Sequence, residues 1–115
     1  MTAKDEPVLI DEPRAGVIRL TLNRPQQFNP LSAAMLQALQ AAVDNIAQSP
    51  TCRVVVLAAK GKAFCAGHDL QEMKANPDGD FYRQLFAQCS RFMMSLVQLP
   101  QPVIAQVQGV ATAAG

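Results

Sequence analysis

Two short segments of this chain have the residue types and spacing for chemistry at a carbonyl. Ala63-Phe64-Cys65-Ala66-Gly67-His68-Asp69-Leu70 follows one apolar run, and Gln108-Gly109-Val110-Ala111-Thr112-Ala113-Ala114-Gly115 follows another. Small residues after a strand make tight turns that offer free backbone N–H groups. Two such donors facing one pocket form an oxyanion hole, which stabilises charge developing on a carbonyl oxygen. The same segments also hold reactive side chains. His68 and Cys65 are the types of a general base and a nucleophile, three residues apart. Against that, Cys65 sits among small apolar neighbours, the setting of a packing thiol, and no third group that orients His68 is visible. Asp69 is placed for a helix cap or a loop-fixing acceptor rather than for acid/base work.

Strands and helices must position these segments. The β-branched run Val54–Ala59 predicts a strand buried on both faces, leading into a loop over residues 61–67. Residues 103–107 predict the strand before the second turn. Val17–Leu22 alternates in part, as a strand with one wetter face does. Residues 8–10 form a short extended piece, and residues 11–15, with Pro13, predict a turn. Pro25 breaks the chain after Asn23 and Arg24. Ser32 is a plausible N-cap, after which Met35, Leu36, Leu39, Ala42, Val43 and Ile46 share one helical face until Ser49-Pro50. A second amphipathic helix is expected over residues 80–99, with Phe81, Leu85, Cys89, Phe92, Met93 and Leu96 inward and Met94 as further core filler. Pro100 and Pro102 close it. Helices between strands imply crossovers and an α/β layered fold in a single domain over residues 1–115.

Composition narrows the function. Half of the 115 residues are hydrophobic and 17% are charged, against about 25% on average, which suits faces covered by further protein. A net charge of +1, scattered Arg and Lys and 5% aromatic residues argue against nucleic acid as a partner. Three cysteines without CxxC spacing predict neither a disulfide framework nor a metal site. No apolar stretch approaches the ~20 residues of a membrane span, so no membrane partner is expected. Residues 1–6 lack the apolar core of a leader and carry Asp5 and Glu6. A cytoplasmic location is expected, with a mitochondrial one as the alternative for a processed eukaryotic protein.

Five motifs in order carry a resemblance. They are Leu22-Asn23-Arg24-Pro25, Asn29-Pro30-Leu31-Ser32, Phe64-Cys65-Ala66-Gly67-His68-Asp69-Leu70, Pro102-Val103-Ile104-Ala105 and Gly109-Val110-Ala111. Together they resemble the enoyl-CoA hydratase/isomerase (crotonase) superfamily over residues 16–115. The Gly-His-Asp-Leu step and the Ala-Ala-Gly end resemble one subgroup of it in particular. The resemblance implies the ClpP/crotonase fold of repeated ββα units, of which this chain is the N-terminal portion, ending after the second turn. It implies an acyl-CoA thioester as partner, an enolate-like intermediate held by two backbone N–H groups, and a homotrimer or hexamer at full length.

By the same resemblance, the N–H of His68 is one oxyanion donor and that of Ala114 the other, at the start of a helix beginning near Ala113. The first N–H groups of a helix lack intrahelical partners, which suits this role. Many family members have glycine where Ala113 and Ala114 stand; alanine fits if both adopt negative φ as first-turn residues. Coenzyme A, part of the substrate rather than a cofactor, is expected along residues 24–28 and 66–71, so that Arg24, Gln26, Ala66, Gly67, His68, Asp69, Leu70 and Gln71 bind substrate. Gln26 and Gln71 stand where members often place a base for the phosphates. Arg24 or Lys74 is the candidate replacement, and an ordinary solvated charge is the other reading of Arg24. Hydration also needs two carboxylates, which the family supplies after the second turn. Independent activity of these 115 residues is therefore not expected, and an isomerase or a non-catalytic acyl-CoA-binding or interaction protein are the competing readings. No metal or redox cofactor enters this chemistry.

Overall fold

The computed structural model describes residues 5–115, so part of the leader reading, at Met1 to Lys4, lies outside the described residues. The chain runs β1 (Val8–Arg14), β2 (Val17–Leu22), a 3-10 turn (Pro25–Gln27), α1 (Ala33–Ala47), β3 (Val54–Ala59), β4 (Ala63–Cys65), α2 (Leu70–Ala75), α3 (Gly79–Gln98), β5 (Val103–Ala105) and β6 (Val110–Ala111). Two strands followed by helix therefore recur along the chain, as the ββα expectation requires. The main sheet has the order β1-β2-β3-β5, and β4 pairs with β6 in a second sheet. β1 is antiparallel to β2, while β2, β3 and β5 are parallel.

Register puts Ile18, Val55 and Val103 side by side, then Leu20, Leu57 and Ala105, on the face that meets the helices. Ser32 caps α1 by accepting from the Met35 N–H, and the predicted face of Met35, Leu36, Leu39, Ala42, Val43 and Ile46 is buried. Leu85, Cys89 and Phe92 of α3 complete this core, and Gln40 Nε2 reaches Ser95 Oγ at 2.9 Å to link α1 with α3.

Several expectations are corrected. Residues 11–15 are not a turn. β1 continues to Arg14, with irregular pairing between Asp11 and Arg14, and the reversal falls at Ala15 and Gly16. Pro13 is tolerated because β1 is an edge strand whose ladder is already interrupted there. β3 is not buried on both sides: Val55 is buried and its neighbours are half-buried, since the helices cover one sheet face. The loop over 61–67 contains β4, and β5 stops at Ala105, leaving Val107 exposed. Ahead of α3, the helix that Asp69 caps is the short α2. Met94 is 52% exposed rather than core filler, whereas Met93 packs on the core. Ala113 has φ 51° and lies in a turn, not in a first helical turn.

Leu39 and Met94 separate core from surface in a measurable way. Leu39→Ala is expected to cost about 2–5 kcal/mol of unfolding free energy. Met94→Ala is expected to stay within about 0.5 kcal/mol of wild type. Urea midpoints at constant slope measure both, and an equal loss at the two positions would refute the assigned faces.

Candidate functional site

The first loop is built on the main chain of its neighbours. The Leu31 N–H donates to Gly67 O at 2.7 Å, and the Ala66 N–H to Phe28 O at 3.0 Å. Leu31 and His68 form a parallel bridge. With Leu31 bonded to Gly67 in this register, the hydrogen bonds flank His68, whose own N–H points the opposite way. Gly67 has φ 86°, and a Cβ there would stand 2.9 Å from Ala113 Cβ. Glycine is thus required both by conformation and by the close approach of the second turn. Asp69 caps α2 by accepting from the Glu72 N–H at 3.1 Å, as its sequence position suggests.

The segments over residues 24–28 and 66–71 meet. They line a cleft of 340 Å³ whose walls include Gln26, Phe28, Ala66, His68, Asp69, Leu70 and Gln71. Gly67 is buried behind the wall. Arg24 lies outside this cleft, next to Gln26 in a polar recess. It is no ordinary solvated charge: Nη1 donates to Glu6 O and Asn23 O, and Nη2 to Asp5 O. Those bonds leave the Nε–H and one Nη2–H without a bond among the described residues. A larger cleft of 470 Å³ lies on the uncovered sheet face, around Arg19, Thr21, Ala58 and Lys60. Neither candidate donor lines it, whereas His68 lines the smaller cleft and Ala114 a separate apolar cavity, so the smaller cleft is taken as the candidate site.

The second turn is fastened onto the first loop. β6 runs beside β4, the Thr112 N–H donates to Cys65 O at 3.1 Å, and Gln108 Nε2 donates to Gly61 O and Ala63 O. Gly109 lies so close that a Cβ would fall 2.1 Å from Lys62 O, which no other residue permits. The Gly115 N–H closes the turn onto Thr112 O at 2.8 Å, and the Ala114 N–H stays outside that bond. Ala114 N is 3.3 Å from where a Cβ would stand on Gly67, the residue before His68. Beside Ala114 an apolar cavity of 160 Å³ opens among Leu31, Phe64, Cys65, Phe92 and Met93.

Electrostatics weigh against a Cys–His pair. Burial pushes the Cys65 thiol pKa up, outweighing the Gly67 N–H that favours the thiolate. His68 packs edge-on to Phe86 at 5.0 Å, and its Nδ1 is buried with no hydrogen-bond partner among the described residues. A base of that kind needs its far nitrogen oriented.

Residues 12–115 match the family described as Enoyl-CoA hydratase/isomerase. The chain belongs to that family. Enoyl-CoA hydratase domain-containing protein 3, mitochondrial, of Danio rerio is 40% identical over 115 residues, which is 100% of this chain and 40% of that protein. Among solved structures, the enoyl-CoA hydratase of Mycobacterium smegmatis aligns with TM-score 0.92 and 56% identity, over 95% of this chain and 42% of that one. Human enoyl Coenzyme A hydratase domain-containing protein 3 aligns with TM-score 0.88 and 37% identity, over 94% and 42%. The fold is therefore the crotonase-like α/β fold, and this enoyl-CoA hydratase/isomerase family chain spans less than half the length of these relatives.

Sequence reasoning missed the residues that hold the site together. Asn29 is fully buried, accepts the Arg24 N–H at 2.7 Å, and donates to Lys60 O and Ala63 O at 2.9 and 3.1 Å. Glu72 Oε1 accepts the Ala33 N–H at 3.0 Å, tying α2 to the start of α1. An asparagine directly before Pro30 was the one available signal for the first; the reach of Glu72 across 39 positions left none.

Cys65 gives a direct check. Iodoacetamide is expected to label it in the native chain on the order of 100-fold more slowly than in urea, because the thiolate is disfavoured and enclosed. Rapid native labelling with a midpoint near pH 7 would restore the nucleophile reading.

Proposed function

We propose that this chain binds an acyl-CoA thioester and polarises its carbonyl, as the donor-bearing part of an enoyl-CoA hydratase-type protein. The backbone N–H groups of His68 and Ala114 hold the oxyanion. The observation that carries this reading is the closeness of Ala114 N to Gly67, with His68 next along the chain. Fixed donors aimed at a developing charge need no reorganisation during the reaction, which is why a pair of them is effective. Coenzyme A lies along Gln26, Ala66, Asp69, Leu70 and Gln71, with the two unbonded N–H groups of Arg24 available to a phosphate oxygen. The acyl group extends toward the apolar cavity beside Ala114. The chemistry calls for no metal or redox cofactor.

One observation favours a second reading, acyl-CoA binding without catalysis by these residues. Asp69 and Glu72, the carboxylates in the α2 region of the site, hold helix N-termini. Hydration needs two carboxylates to position water and move its proton; isomerisation needs one. Either proton step draws on groups beyond the described residues. At full length a homotrimer or hexamer is proposed. The compartment is proposed as cytoplasmic, with the mitochondrial alternative supported by the name of the Danio rerio relative.

The test compares crotonyl-CoA with its thioether analogue, in which a methylene replaces the thioester carbonyl. Losing two hydrogen bonds is expected to weaken binding by about 1–3 kcal/mol. His68→Ala is expected to keep that preference within about threefold, since only the backbone takes part, well short of the ~100-fold cost of a lost oxyanion donor. Equal affinity for both ligands would remove the oxyanion claim, and a preference abolished by His68→Ala would assign the role to the imidazole.

A further inference from the structure

We propose that Gln108 is a positioning residue whose side-chain amide registers the turn bearing the Ala114 N–H against the loop bearing the His68 N–H. The inference rests on the oxyanion reading above and names what sets its geometry. Gln108 Nε2 donates to Gly61 O at 2.9 Å and to Ala63 O at 3.2 Å. A primary amide nitrogen has two N–H groups, and both are engaged here. Ala63 O accepts Asn29 Nδ2 as well, so both of its lone pairs are occupied. The two amides thus clamp one carbonyl from opposite segments of the chain.

Besides Gln108, the segment is held by a short strand pairing, by the Thr112 hydroxyl donating to Ala66 O at 3.4 Å and by Ala114 packed on the core. β6 is a two-residue strand with a register shift against β4 between Ala63 and Cys65. So short a ladder fixes register weakly, and a slip of one residue inverts every side chain and N–H beyond it. Gln108 fastens the near end of this pairing, and the Thr112 N–H to Cys65 O bond fastens the far end. Ala114 lies two residues past that far end. Gln108 is exposed and outside the core cluster, so removing its donors leaves the packing of the sheet and helices in place.

Gln108→Met keeps the length and volume of the side chain and lacks the donors; Gln108→Lys restores a donor of similar reach. The readouts are amide hydrogen exchange along the 115-residue chain and the absorbance of bound 4-(dimethylamino)cinnamoyl-CoA, which moves to the red as its carbonyl is polarised. Gln108→Met is expected to keep the probe's Kd within about threefold. It should lose more than about half of the red shift. Exchange at Thr112 should quicken by about tenfold while β2 is unchanged. Gln108→Lys should recover most of both signals. A full red shift with unchanged Thr112 exchange in Gln108→Met overturns this proposal alone. Faster exchange in β2 as well also overturns it, because the side chain would then support the whole fold. A wild-type chain that fails to bind the probe, or binds it with no red shift, overturns the oxyanion reading on which the proposal rests.

Discussion

The carbonyl oxygen of Ala63 takes hydrogen bonds from two side-chain amides, Asn29 Nδ2 at 3.1 Å and Gln108 Nε2 at 3.2 Å. Its neighbours are engaged in the same way. Lys60 O accepts from Asn29, Gly61 O from Gln108, and Lys62 O is covered by Gly109. Main-chain carbonyls need donors, and a turn between two strands of different sheets has no ladder to supply them. Side-chain amides from two distant segments supply them instead, and thereby bring residues 24–30, 60–67 and 108–115 together. The cleft, the His68 bridge and the Ala114 turn all depend on that convergence.

The rest of the molecule supports this junction from one side. α1 and α3 cover a single face of the main sheet, so its interior ends at Leu20, Leu22 and Val55. Apolar residues beyond it, Ile104, Val107 and Val110 among them, are exposed. Apolar groups exposed as a contiguous patch mark surfaces that other protein covers. Relatives more than twice as long, with the same fold over the shared region, are consistent with that.

What was legible in the sequence divides by length scale. The buried face of α1 was readable because its apolar residues repeat at helical spacing over four turns, and Ser32 marked its start. β2 and β3 were readable for similar reasons. β4 and β6 were not, because three and two residues carry no periodicity. Pro13 misled, since a proline in an interrupted edge strand looks locally like a turn. The site residues Gln26, Ala66, His68, Asp69, Leu70 and Gln71 were named from motif resemblance and do share one cleft, whereas Arg24 turned away to the carbonyls of Asp5 and Glu6. Asn29, Glu72 and Gln108 escaped because their partners lie 31 or more positions away, and no local pattern encodes such a reach.

The distribution of polar groups around the cleft follows one rule. Side chains whose types suggest chemistry are occupied in holding backbone: Asp69 and Glu72 cap helices, and Asn29 and Gln108 satisfy carbonyls. Cys65 is enclosed, with burial raising its thiol pKa, and the His68 Nδ1 meets no acceptor or donor among the described residues. Under the proposed reading, the free N–H groups of Arg24 remain for a phosphate, while the groups that meet the acyl carbonyl are main-chain N–H donors. Such donors carry no protons to and from substrate, but their positions are fixed by the fold rather than by rotamers, which suits them to stabilising charge as it appears. A site of this kind tolerates wide change in its side chains as long as the carbonyls behind the donors remain satisfied. In this chain that satisfaction falls to Asn29 and Gln108, which meet at Ala63 O behind the loop that carries His68.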